Sequence, residues 1–231
     1  MGDWWERATA TTPAPDQRVT VLLALLAVLC IAWAPVWRMT RHLVTVVHEG
    51  AHGVVALLVG RRLSGIRLHS DSSGLTVSRG RPAGAGMVLT LLAGYVGPSL
   101  LGLLVGVGVH TGHAIATLWL LLIALVLLLL QIRNLYGLWV VLVSGVVLFA
   151  VTRWLDPTAQ TGVAQLIGSF LLLAGPWSLV DLQRSRRAGM ARHSDPDQLG
   201  RITRVPGGAW WTLMLLLSIG CLVGGARLLL R

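Results

Sequence analysis

Residues 84–109 read GAGMVLTLLAGYVGPSLLGLLVGVGV, an unbroken apolar run without a single charged side chain. About 20 apolar residues in a helix cross the hydrocarbon core of a bilayer, so this run is long enough to span. Its neighbours repeat the pattern. The chain of 231 residues is 55% hydrophobic, and only 12% of it is charged, about half the share expected of a soluble domain. Its mean hydropathy is +0.73. Several long uncharged runs cannot all be buried in one water-soluble core, so lipid is the solvent for most of them.

Seven segments meet the length criterion: 19–37, 43–60, 84–109, 115–131, 135–153, 162–181 and 209–229. The fold class expected is therefore an all-α integral membrane protein of about seven transmembrane helices. Residues 1–18 form an N-terminal tail and 19–231 a single membrane domain. No cleavable leader is evident, because the first apolar run is itself long enough to span. Trp33, Trp37, Trp154, Trp177, Trp210 and Trp211 fall near predicted helix ends, where indole rings anchor at the headgroup level. Cys30 and Cys221 lie inside apolar runs and imply neither a disulfide nor a metal cluster.

The net charge is +10, carried entirely by Arg. These residues cluster between the apolar runs, which reads as membrane topology and not as nucleic-acid binding. With the N-terminus placed in the cytoplasm, segments 1–18, 61–83, 132–134 and 182–208 face inward with 14 Arg, against 5 on the other side. The rule that positive charge stays inside then predicts a cytoplasmic N-terminus and an extracytoplasmic C-terminus. Arg, Ala and Gly enrichment without Lys suggests a bacterial plasma membrane.

Two stretches between the runs carry local signals. Within 61–83, Ile66-Arg67-Leu68-His69 and Leu75-Thr76-Val77-Ser78 alternate around Asp71-Ser72-Ser73-Gly74, which predicts a short cytoplasmic β-hairpin. In the basic loop 182–208, Asp195-Pro196 reads as a helix start, with Asp195 as N-cap and Pro196 at the first helical position.

The chemistry lies in the second run, where residues 48–52 read HEGAH. His48 and His52 are four residues apart, on one face of a helix and one turn from each other. Two imidazoles so placed can bind one Zn2+ ion. Glu49 beside them is suited to act as general base toward a water molecule activated by that ion. The chain has 7 His and 2 Glu, so a chance H-E-x-x-H has odds of about 1 in 500. Three ionisable groups within five positions of a membrane helix exceed what helix packing requires. The remaining Glu, Glu6, reads as a solvated tail residue.

This helix, the hairpin after it and the apolar helix carrying Gly97-Pro98 resemble the core of the site-2 proteases, which are intramembrane zinc metallopeptidases. Arg133-Asn134 before a helix, Ser178-Leu179-Val180-Asp181 at a helix end and Ser194-Asp195 in the next loop extend the resemblance. Together they point to a compact bacterial, peptidase-like branch and cover about residues 40–215. The resemblance implies cleavage of a membrane-protein segment within or beside the bilayer. It also implies Zn2+ as cofactor, Glu49 as catalytic base, and Gly97, Pro98 and Asn134 as substrate-positioning residues. Its third zinc ligand, an Asp in a Leu-Asp-Gly motif, has no counterpart here. Asn134-Leu135-Tyr136-Gly137 resembles the start of that segment, but positions 141 and 142 are Val and Leu. Asp181, at the end of the sixth run, is the acidic residue expected to complete the set. The missing motif keeps a second reading open, a non-proteolytic membrane protein that retains zinc for structure or regulation. A third reading, a transporter, calls for broken helices and paired repeats, which the sequence lacks.

Overall fold

The computed structural model describes residues 6, 10–190 and 193–230. Among the described residues there are eight helices, with one hairpin among them. They are α1 (Gln17–Ala32), α2 (Ala34–Leu58), β1 (Arg62–Leu68), β2 (Gly74–Arg79), α3 (Ala85–His110), α4 (Ala114–Leu129), α5 (Leu135–Trp154), α6 (Pro157–Arg187), α7 (Asp195–Thr203) and α8 (Gly207–Leu229).

Of the seven expected membrane helices, four or five meet the length and hydropathy requirement among the described residues. Four helices are long and apolar enough to cross a membrane: α3, α5, α6 and α8. The pair α1 and α2, bent by 100° at Trp33, makes a fifth if it is one broken span. α4 is a shorter apolar helix of 16 residues that rises about 24 Å and still runs from the Gly112 end of the bundle back to Gln131 beside β1. The break at Trp33 has a local cause. Pro35 has no N–H to give an earlier turn, so it ends α1 and is accommodated in the first turn of α2. After Pro35 nothing breaks the helix, so Arg38 and Arg41, expected in a loop, lie on α2. Likewise α6 runs on to Arg187, into the segment expected to be a loop.

The first described residues of the N-terminal segment pack against the ends of two central helices. The Thr12 amide donates to the Gly112 carbonyl at 2.8 Å, and its hydroxyl lies 2.9 Å from that of Thr161. Gly112 ends the descent of α3, and Thr161 begins the return of α6. Both stand at the end of the bundle opposite the hairpin. The bent α1–α2 pair thus runs from that end to the hairpin end with one sharp break, as a broken span or a re-entrant loop does. His110 holds the carbonyl of Leu228 at 3.0 Å, so the C-terminus shares that far end.

α3 and α6 form the centre of the bundle. They approach closely where Gly102 faces Gly168 and where Gly175 faces Ser99; a Cβ at Gly102 would stand 2.7 Å from the Leu172 amide. Small residues at such crossings let backbones pack without an intervening side chain. Around them lie apolar clusters that join α1 to α6 through Ala27, Ile31, Phe170 and Ala174, and α6 to α7 and α8 through Leu179, Leu199 and Met214. Exposed Leu, Val and Ile on α1, α4, α5 and α8 face outward, as lipid-facing surfaces do.

The hairpin forms as the alternation predicts, with Ile66 paired to Thr76 and Arg67 to Leu75. On its other edge β1 is held by the chain after α4. Ile66 accepts from the Arg133 amide at 2.9 Å and donates to the Gln131 carbonyl at 2.8 Å. Gly65 has φ +143, and a Cβ there would collide with the Arg133 side chain. Only glycine takes that backbone geometry without strain.

Candidate metal centre

His48, Glu49 and His52 lie in the middle of α2. Glu49 and His52 are buried, at 5% and 7% exposure. The two imidazoles come together as the i, i+4 spacing requires, with their Nε2 atoms 3.0 Å apart. The His52 Nδ1–H donates to the Thr90 carbonyl on α3 at 2.6 Å. That bond fixes the tautomer and leaves the Nε2 lone pair free toward its partner. The His48 ring meets Tyr95 edge to face, with centroids 4.6 Å apart. Gly94 lies beneath both rings, and a Cβ there would occupy the space of the His52 Nε2. One turn further along, Gly97 lets α3 approach Ala51 of α2.

The third group is Asp195, from the first turn of α7. Its Oδ2 lies 3.2 Å from the Nε2 of His48 and 3.3 Å from that of His52. Among the described residues this is the one group of three or more His, Cys, Asp or Glu side chains placed to hold a metal ion. Asp195 is therefore the first residue inside the helix and lies at the site, where an N-cap was expected; Ser194 is the N-cap. Asp181, expected as third ligand, is engaged elsewhere. It accepts from the Trp37 indole at 2.8 Å and pairs with Arg184 at 3.3 Å. Trp37, expected as an interfacial anchor, is buried by that contact.

The donor set fits a metal. Asp195 Oδ2 is buried and no hydrogen bond reaches it. The two nearby Nε2 atoms satisfy the distance for an ion pair, but the His52 proton sits on the opposite nitrogen. Three electron-rich atoms thus face one another across 3.0–3.3 Å. A tetrahedral zinc ion with bonds of about 2.0–2.1 Å separates its ligand atoms by about 3.3 Å.

α7 is tethered where Asp195 needs it. Arg186 at the end of α6 binds the Asp197 carboxylate at 2.5 Å, and Ser194 donates to the same carboxylate at 2.6 Å. The site opens into a cavity of about 940 Å³ lined by α2, the hairpin, the start of α3, the end of α6 and α7. Pro98 and Asp181 are among its lining residues. Asn134 is not. Its side-chain amide donates to the Leu68 carbonyl at 2.7 Å and accepts from the Leu68 amide at 3.2 Å. It pins β1 to the start of α5 and does not face the cavity.

A mostly helical apolar bundle with a small sheet and a His-His-Asp cluster beside a buried Glu defines the class, a membrane-embedded metallopeptidase scaffold. A family model described as Peptidase M50B-like matches residues 21–225, and the chain belongs to that family. Membership and the apolar helices make it a multi-pass membrane protein, and support intramembrane metalloproteolysis as the class of activity, in a zinc-dependent peptidase family. Comparison with curated proteins and with solved structures found no match in either.

Proposed function

We propose that this protein is a site-2-type zinc peptidase that cleaves a transmembrane or membrane-adjacent protein segment. The observation that carries the reading is the convergence of His48, His52 and Asp195 next to Glu49, with an orphaned buried oxygen aimed between the imidazoles. These three residues would hold Zn2+. When bound, the ion would supply Lewis-acid polarisation of a carbonyl and lower the pKa of a water molecule toward neutrality. Glu49 takes the proton from the attacking water and delivers it to the leaving amine. The cavity admits an unwound substrate segment and shields the reaction from lipid.

The reading of a non-proteolytic protein with structural zinc rested on the missing Leu-Asp-Gly motif. Asp195 offers a carboxylate from a different place in the chain. Glu49, outside the ligand set, has no task in a purely structural site.

Zinc per chain, measured in purified protein, tests the ligand set. Wild type should hold about one ion; His48→Ala, His52→Ala and Asp195→Ala should lose it, and Asp181→Ala should keep it. Loss in Asp181→Ala with retention in Asp195→Ala would reverse the assignment. Glu49→Gln should keep the metal and abolish cleavage of a quenched-fluorescent casein. Residual cleavage at the wild-type rate would remove Glu49 from the mechanism.

A further inference from the structure

The hairpin does more than border the cavity. Its strand β2 turns Gly74, Thr76 and Ser78 inward, and Leu75, Val77 and Arg79 outward. The inward residues lie along α2 at the level of the motif. The Thr76 hydroxyl stands 2.6 Å from Glu49 Oε2 and 3.0 Å from the Glu49 carbonyl. A threonine hydroxyl has one proton. The shorter contact lies in the range of a charge-assisted O–H···O⁻ bond, so the proton goes to the carboxylate. Among the described residues it is the one hydrogen bond made by that carboxylate.

Gly74 completes the frame. A Cβ on it would come within 2.5 Å of Glu49 Oε1, so only glycine lets the carboxylate lie this close to the strand. Among the described residues one carboxylate oxygen is anchored by Thr76 and the other accepts no hydrogen bond. A general base needs this arrangement, because it must present an unoccupied lone pair at a fixed position.

The strand is itself held in place. Thr45 of α2 donates to the Ser72 carbonyl at 2.8 Å and Arg41 to the Asp71 carbonyl at 3.2 Å. At the other end Arg61 donates to the Ser78 hydroxyl at 2.9 Å and to the Arg81 carbonyl at 2.6 Å. β2 is thus fastened at both ends, with Thr76 between them.

We propose that Thr76 is the positioning residue of the catalytic base. It orients the Glu49 carboxylate from β2, making the hairpin part of the proton-transfer apparatus. The inference rests on the peptidase reading above. A hydroxamate tests it without turnover, since it chelates the metal of such a site and gives its hydroxyl proton to the neighbouring carboxylate. The probe is benzyloxycarbonyl-leucine hydroxamate, titrated into zinc-loaded, detergent-solubilised full-length protein. Wild type, Thr76→Val and Thr76→Ser are compared, with zinc content read in each. Thr76→Val keeps the shape of the side chain and removes only the hydroxyl. It should bind the hydroxamate about tenfold more weakly with zinc unchanged, while Thr76→Ser stays within about twofold of wild type. Equal affinity in wild type and Thr76→Val overturns the assignment of Thr76 alone. Zinc-loaded wild type that does not bind the hydroxamate overturns the peptidase reading and this inference with it.

Discussion

Gly94 is the smallest part of the site and among the least replaceable. It sits one turn before Pro98 on α3, under the two imidazoles, where any side chain would collide with His52. Gly94→Ala should displace the rings and lower zinc content well below one per chain. Overpacking a site of this kind costs about 1–3 kcal/mol, so a lowered melting temperature should accompany the loss. Full zinc content and unchanged melting would show that the rings yield without cost. At this scale the sequence was partly readable. HEGAH marked three candidate site residues by spacing alone, because helix geometry fixes which side chains meet. Thr76, Thr90 and Tyr95 carried no comparable signal. Each meets the motif from another element, and no spacing along the chain encodes that meeting.

Among the elements, α7 does the most with the fewest residues. Nine residues long, it brings Asp195 to the histidines from beyond the end of α6. The Asp-Pro pair marked its start to within one position. The N-cap reading nevertheless kept Asp195 out of the ligand set, because capping and ligation use the same residue type at neighbouring positions. The Arg186–Asp197 pair holds the helix against α6. Arg186→Ala should therefore weaken zinc affinity about tenfold, as loss of a residue that orients a ligand does. Arg186→Lys should recover part of it. Competition with a chromogenic chelator measures both, and wild-type affinity in Arg186→Ala would show that α7 docks through its apolar face alone. The hairpin was read correctly from its alternation. Asn134 was expected at the substrate and instead ties the hairpin to α5. A side-chain amide serves either purpose, and only its neighbours decide between them.

For the whole molecule, the segments at the hairpin end, 61–83, 131–134 and 182–208, hold 12 of the 19 Arg. By the positive-inside rule that end is expected to be the cytoplasmic one. Since Thr12 and Leu228 are bonded at the other end, we propose that both termini are extracytoplasmic. Reporter domains fused to each terminus should be silent if they fluoresce or act only in the cytoplasm, and active if they require export. A cytoplasmic signal from the N-terminus would restore the seven-helix arrangement. That arrangement came from counting apolar runs, which treats each as a full crossing. A bent pair of runs passes the same count although it is a broken span or a re-entrant loop.

The sequence by itself determined that this chain lives in lipid and that α2 carries a pair of imidazoles beside a carboxylate. Both follow from local quantities, the length of apolar runs and the pitch of a helix. Which acid lies beside the imidazoles, which hydroxyl meets Glu49, and at which end of the bundle the described chain begins came only from tertiary structure. Those outcomes depend on contacts between positions up to 149 residues apart. Such contacts are set by how the helices pack around Gly102, Gly168 and Gly175, and they have no counterpart in any local pattern of residues.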